Sequence, residues 1–595
     1  MKLLRIALPL LLAVAISGQT SSDEHFLCDQ DFSRSLTAQL AVEGRSVTEP
    51  HKKIKIFIRL ADFSWPIDEP AARSYFTEAY KAALENFREK GFENKAVSDD
   101  PKAVKVQVPD HRFEVIKAIA KHDAAWARRL TDEVMEEYQK SAKDRKPGDR
   151  SREIQELLSF AGLSVERDPA LAMYLYRRVM QYPLDYHWLF ALYAAAGSDR
   201  SFGDNLYREL VSNYRNATPR RMLFLSSYPF SRGQIFGVAK LQYGTSVPEG
   251  FAPDRDLQRL FVETFLNRVI AFSENPQERN MPREDYHQPE PVHMASALAE
   301  LEPIIIQDLP FLLQRFGEAR ARVSSLLTEE MQQAVQAGEK RNEAAAGGFA
   351  AVLMRAEEAD EKGTLTDMMV LNLVTSSKTE EHFRITESWL GKIKEEPVRN
   401  SISNYFWFLR ADLAIKEDRF ADAEAYSKKV PEVEHRSKLA FLLAEKQLEN
   451  VNDRASAYQT LNEVAKLARS TESSVTKAKI LLGLAHQYER FNHGFALEEL
   501  GEAVRVINRM TDPDLFIQQE FRQIIGKNFQ YYTVYPVPGY DLEVTFREIS
   551  KNDFELGLSN ARAIDDKFLR TIAMLTVAAN CAEKVKKLSA DADQN

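Results

Sequence analysis

FRITESWLGKIKEEPVR at 383–399 and FADAEAYSKKVPEVEHR at 420–436 carry one pattern twice in succession. Phe383, Ile393, Glu395 and Arg399 return 37 residues later as Phe420, Val430, Glu432 and Arg436, at identical internal spacing. The pattern recurs as Phe554, Ile564, Asp566 and Arg570, and near the other end of the chain as Phe57, Ile67, Glu69 and Arg73. Composition alone predicts far fewer than one chance match, so the recurrence marks a repeated structural unit.

The spacing identifies that unit as the corner of a helical hairpin. Phe and Ile/Val, ten residues apart, fall on one face of a helix. The acid lies four residues before the arginine, the favourable orientation for an ion pair along a helix. It also sits where a second helix would begin, against the positive end of the helix dipole. A row of arginines binding an anionic polymer is the rival reading. It is disfavoured because each arginine is expected to have a neutralising acid. Glu69, Arg73, Glu395, Arg399, Glu432, Arg436, Asp566 and Arg570 are therefore assigned to turns.

A second pattern points the same way. Asp68, Ala71, Ala72 and Tyr75 share their spacing with Asp123, Trp126, Ala127 and Leu130. Asp168, Leu171, Ala172, Leu175 and then Asp199, Phe202, Gly203, Leu206 continue the series. Asp suits a helix N-cap, positions +3 and +7 are expected to form the buried stripe, and the small residue at +4 admits a neighbouring helix.

Together these patterns predict an all-α chain of irregular helical hairpins. The residue order suggests a leader at 1–18, an N-terminal hairpin array at 19–222 and a Gly/aromatic insert at 223–255. A helical segment at 256–332 and a hinge at 333–348, around Ala344-Ala345-Ala346-Gly347-Gly348, follow. C-terminal repeats at 349–510 lead to a helix end and Tyr/Pro-rich crossover at 511–545. A final helix pair at 546–588 precedes a tail at 589–595.

Ala411, Phe420 and Ala423 stand at the small–aromatic–small intervals of tetratricopeptide repeats, with Pro431 after the second helix. The region resembles that class, although it lacks the Gly-Tyr pair of the first helix and a steady 34-residue period. The layout, with Asp-Pro-Ala-Leu-Ala at 168–172 and Val-Pro-Gly-Tyr-Asp-Leu at 537–542, resembles uncharacterised exported bacterial α-helical repeat proteins. The resemblance implies a tetratricopeptide-like α-solenoid with two irregular inserts. It implies no reaction.

Compartment follows from the first residues. Met1-Lys2-Leu3-Leu4-Arg5, an apolar run over 6–16 and Ser17-Gly18-Gln19-Thr20 describe a secretory signal peptide, too short for a membrane span. The expected location is extracytoplasmic, periplasmic or secreted. A net charge of −9, with basic and acidic residues interspersed, argues against nucleic acid. Two cysteines, Cys28 and Cys581, make no disulfide framework. Either they are separate thiols, or they pair in a strongly curved or closed fold.

Candidate chemistry is sparse. Asp285, His287, Glu290 and His293 are the densest set of potential metal ligands, but they share a loop and lack His-Glu-x-x-His spacing. No metal or cofactor is expected. Phe236 and Tyr243 in the first insert, with Tyr531, Tyr532 and Tyr535 in the second, are candidate partner contacts, since aromatics anchor interfaces. Their alternative role is packing against the chain's own helices. The favoured reading is a non-catalytic scaffold for a protein or peptide partner. The alternative is an extracytoplasmic enzyme acting on glycans or peptides from a helical toroid.

Overall fold

The computed structural model describes residues 30–91, 94–96, 105–107, 109–141, 150–238, 243–279, 288–346, 348–450, 453–516, 519–527, 529–536 and 541–592. Most of them are helical, and the fold is an all-α, solenoid-like array of hairpins. The chain forms two compact units, one from residues up to 118 together with those from 359 onward, the other from 119–358. This grouping does not follow the linear order of segments, because the first hairpins belong with the last.

All four copies of the Phe/Ile/acid/Arg pattern fall at corners. Glu380–Leu390 turns into Glu396–Lys416, Phe420–Ser427 into Val433–Asn450, Phe554–Arg562 into Lys567–Ala592, and Pro50–Ser64 into Glu69–Lys90. Ile393, Val430 and Ile564 are buried at those corners. The acid–arginine pair itself forms at Glu69–Arg73, at 2.8 Å. Elsewhere the arginine does something else. Arg399 donates to the Ile393 carbonyl at 3.2 Å, and Arg570 to the Ile564 and Asp565 carbonyls at 2.8 and 3.0 Å. These carbonyls lie in the loop just past the first helix of each hairpin, outside any helical hydrogen-bond ladder, and the guanidinium satisfies them. Asp566 instead caps its own helix through the Leu569 amide, and Glu432 turns to His435.

The four Asp corners cap as their spacing requires. Asp68, Asp123, Asp168 and Asp199 accept from the amides of Ala71, Trp126, Leu171 and Phe202 at 2.8–3.1 Å. The buried stripe lies at +4 and +7, whereas of the +3 residues only Leu171 is fully buried. At Gly203 the close approach is explicit: an added Cβ would stand 2.8 Å from Ala196 Cβ.

In the first unit, one helix of each hairpin stacks on the next in sequence. Glu396–Lys416 packs on Val433–Asn450, then come Val475–Glu489, Leu542–Asn552 and Lys567–Ala592. Pro50–Ser64 packs on Lys567–Ala592 and so continues the series with the start of the chain. In the second unit, Arg150–Ser164, His187–Ser198, Arg200–Asn213 and Arg255–Glu274 pack in succession.

Three expectations are corrected. The 511–545 region contains an antiparallel hairpin, Gln519–Gly526 with Phe529–Pro536, because its β-branched and aromatic run favours strand. A shorter hairpin pairs Asn94–Ala96 with Lys105–Gln107. The proposed hinge at 333–348 is mostly the helix Glu329–Ala346, as its Ala, Glu and Gln content favours; Gly347 lies outside the described residues. The final helix pair expected over 546–588 is three helices, Leu542–Asn552, Phe554–Arg562 and Lys567–Ala592, because Asp553 starts the second by capping through Leu556.

The Gly/aromatic insert is part of the second unit's core. Leu223–Leu225 and Tyr228–Phe230 form short 3-10 turns, and Tyr193 holds Ser227 through its hydroxyl at 3.0 Å. Gly233 has φ 67°, and a side chain there would meet the Thr245 carbonyl. Only glycine fits that crossing without strain.

Candidate functional sites

Three concave surfaces stand out among the described residues, two in the first unit and one in the second; one of the former, of about 240 Å³, is lined by Ser33, Thr37, Asp68 and Tyr75 among others. In the first unit a groove of about 120 Å³ runs across Phe420–Ser427, Val433–Asn450 and Arg454–Arg469. Its floor is Ala440, Leu443, Val464 and Leu467. Its walls carry Glu424, Lys428, Arg436, Gln447, Gln459, Thr460 and Glu463. Beneath it lies the repeat core of Phe408, Ala411, Ala423, Val430, Leu439 and Leu443. The same helix-facing stripe that packs the hairpin thus leaves the polar edge outward. Lys428 bonds Glu424 and stands 4.0 Å from Glu463. Thr460 donates to Gln447 at 3.1 Å. Arg436, a turn residue by sequence, has no acid within ion-pair distance among the described residues and faces the groove. The surface offers donors and acceptors of both kinds around an apolar floor.

In the second unit a cleft of about 690 Å³ is lined by Asp185, Tyr186, Arg220, Arg221, Phe224, Tyr243, Arg268, Arg279 and Glu290, among others. Its walls are held by contacts between segments distant in sequence. Glu290 opens the helix Glu290–Asp308 and accepts from the Arg220 amide at 2.8 Å. Burial pushes its carboxyl above the usual range, against the lowering effect of the Thr218 hydroxyl and the Arg220 amide. Arg221 donates to the Leu184 carbonyl at 2.6 Å, and Arg268 to the Ala217 carbonyl at 2.6 Å and to Glu278. Tyr186, Phe224 and Tyr243 form one ring cluster, with centroids 5.4 Å apart for Tyr186–Tyr243 and 5.2 Å for Phe224–Tyr243. Burial raises the Tyr186 phenol, aided by Asp185, so it is a neutral donor and not a base.

The residues singled out from sequence disperse. Tyr243 and Glu290 meet on the cleft. Phe236 does not: it is fully buried, edge-on to Phe230 at 5.0 Å and under Arg232, so it cannot be a partner contact. Its apolar neighbours in sequence fold inward with it. Tyr531 lies 6.3 Å from the Tyr405 ring on Glu396–Lys416, packed on the chain's own helix. The side chains of Tyr532 and Tyr535 lie outside the described residues.

Of the potential metal set, Asp285 and His287 lie outside the described residues. His293 is buried at 3% exposure, with neither ring nitrogen bonded among the described residues, and burial lowers its pKa to about 4. No group of three or more His, Cys, Asp or Glu among the described residues could hold a metal ion. Cys28 and the side chain of Cys581 are outside the described residues. No helix among them is long and apolar enough to cross a membrane.

Sequence reasoning missed Arg220, Arg221, Arg268 and Arg279. The signal was the Arg220-Arg221 pair beside the first insert and Arg279 just before the loop that leads to Glu290.

No known protein family matches the sequence, and no curated protein matches it. Among solved structures it is similar to a circular tandem repeat protein with novel repeat topology and enhanced subunit contact surfaces. That likeness is 13% identity over 95% of this chain and 100% of the other, with a TM-score of 0.13.

Proposed function

We propose that this chain is an exported, non-catalytic scaffold that holds an extended peptide segment of a protein partner. The observation that carries the reading is the groove across Phe420–Ser427, Val433–Asn450 and Arg454–Arg469. An extended peptide presents alternating amide donors and acceptors and needs partners of both kinds. Gln447, Gln459 and Thr460 supply them, above an apolar floor of Ala440, Leu443, Val464 and Leu467 with room for one side chain. Stacked hairpins hold these groups in place before binding, so little ordering entropy is lost on association. Arg436, which has no acid within ion-pair distance among the described residues, favours an acidic or carboxylate-bearing segment. The basic start, the apolar run over 6–16 and the small-residue exit support export.

Selection of peptides from a displayed library against the full chain tests the reading. Binders should share an extended, acid-containing motif, and Arg436→Glu should weaken them at least tenfold, with an unchanged melting temperature. Binders indifferent to Arg436→Glu and to Gln459→Ala would refute it.

A further inference from the structure

We propose that the cleft of the second unit is a separate binding site for a small organic anion carrying a flat ring beside a carboxylate or phosphate. Its volume of about 690 Å³ is in the range of small-ligand pockets and too large for a packing defect. The lining divides into two chemistries. One wall is aromatic: Tyr186, Phe224 and Tyr243 form a contiguous set of rings that offers a face or an edge to a flat group.

The other wall is cationic. Arg220, Arg221, Arg268 and Arg279 outnumber the acids Asp185, Glu278 and Glu290 in a chain whose overall charge is −9. Each of the three acids has a partner, and two of the arginines are likewise held, Arg221 by the Leu184 carbonyl and Arg268 by the Ala217 carbonyl and Glu278. Asp185 contacts His187 at 3.0 Å, Glu278 is held by Arg268, and Glu290 is turned to the Arg220 amide. Arg279 is exposed on the rim and pairs with no acid among the described residues. Guanidinium groups match carboxylate and phosphate oxygens with paired donors, so this wall selects the head group while the rings select the body.

The site is independent of the peptide groove, and its failure would leave that reading standing. Ligand-observed NMR and calorimetry on the full chain test it with five probes: phenyl phosphate, phenylacetate, inorganic phosphate, phenol and phenylacetamide. Phenyl phosphate or phenylacetate should bind at least tenfold tighter than its neutral counterpart and than inorganic phosphate, and the tighter of the two assigns the head group. Arg279→Glu and Tyr243→Ala should each weaken that binding at least fivefold, and added salt should weaken it further. Both variants change side chains outside the buried core, and an unchanged melting curve certifies the fold. Equal binding of charged and neutral probes, binding indifferent to both variants, or no binding at millimolar probe would overturn the proposal.

Discussion

Arg570 donates to one carboxylate oxygen of Glu43 from Nε at 3.2 Å and from Nη2 at 2.8 Å, across 527 residues of chain. The same guanidinium holds the Ile564 and Asp565 carbonyls at its own corner. Arg570 therefore serves both a turn and the junction between the first and last helices of its unit. Lys567 to Ser46 at 2.9 Å and Arg59 to Glu543 add to that junction. Both partners of the Arg570 pair are about four-fifths buried, so solvent screens the pair only partly. Arg570→Ala should cost roughly 2 kcal/mol and Glu43→Ala roughly 1 kcal/mol, with a coupling near 0.5–1 kcal/mol in a double-mutant cycle. Urea melts of the four proteins measure it. Equal costs for the two single variants would show that the corner carbonyls contribute nothing.

The corner arginine, not the acid four residues before it, holds the turn between Glu380–Leu390 and Glu396–Lys416. Arg399 reaches the Ile393 carbonyl. Arg399→Ala should lower stability by about 1 kcal/mol, and Glu395→Ala by less than about 0.5 kcal/mol. Reversed costs would restore the ion-pair account of the repeated pattern.

Gly203 and Gly317 should respond oppositely to alanine. At Gly203 a Cβ would lie 2.8 Å from Ala196 Cβ, 2.9 Å from its Cα and 2.7 Å from the Tyr228 hydroxyl oxygen. Overpacking there should cost about 1–3 kcal/mol. Gly317 sits inside Leu313–Leu326, where an added Cβ meets nothing within 4 Å. Gly317→Ala should stabilise by about 0.5–1 kcal/mol. Thermal melts of the two variants decide whether the small residue after an Asp cap is there for helix contact.

His293 makes stability depend on pH in a defined window. Its folded pKa, about 4 through burial and then the Arg220 charge, lies below the ordinary value of 6.5. The unfolded state therefore binds the proton more readily. The contribution is complete above about pH 6.5, declines as pH falls, and is gone below about pH 4. Its size is on the order of 3 kcal/mol. His293→Leu should flatten the pH dependence between 6.5 and 4, as read by denaturant midpoints. An unchanged slope would place the sensitivity elsewhere.

The corners were legible because their physics is local. An Asp cap and its +3 amide, or a Phe and Ile on one helix face, need only a few neighbouring residues, and the corresponding turns appear where the spacing placed them. What the arginines bond was not legible: Arg399 and Arg570 choose between an acid and a carbonyl at the same distance along the chain, and only the turn geometry decides. Phe236 was misread for a related reason. Its surroundings look like a surface loop, yet Gly233 and Gly237 bend the chain so that the ring turns inward. The strand pairing of 519–526 with 529–536 was hidden by Pro536, Pro538 and Gly539, which made the stretch read as irregular although its tyrosines suit a strand. The cleft depends on residues from 185 to 331, and no local pattern gathers Arg221, Tyr243 and Arg279.

The scaffold account claims that binding uses a surface already in place. Hydrogen–deuterium exchange of the full chain, with and without a saturating selected peptide, measures that claim most directly. Added protection should be confined to Phe420–Ser427, Val433–Asn450 and Arg454–Arg469, with exchange in the remaining helices unchanged. Protection spread throughout the first unit, or absent from these three helices, would contradict it.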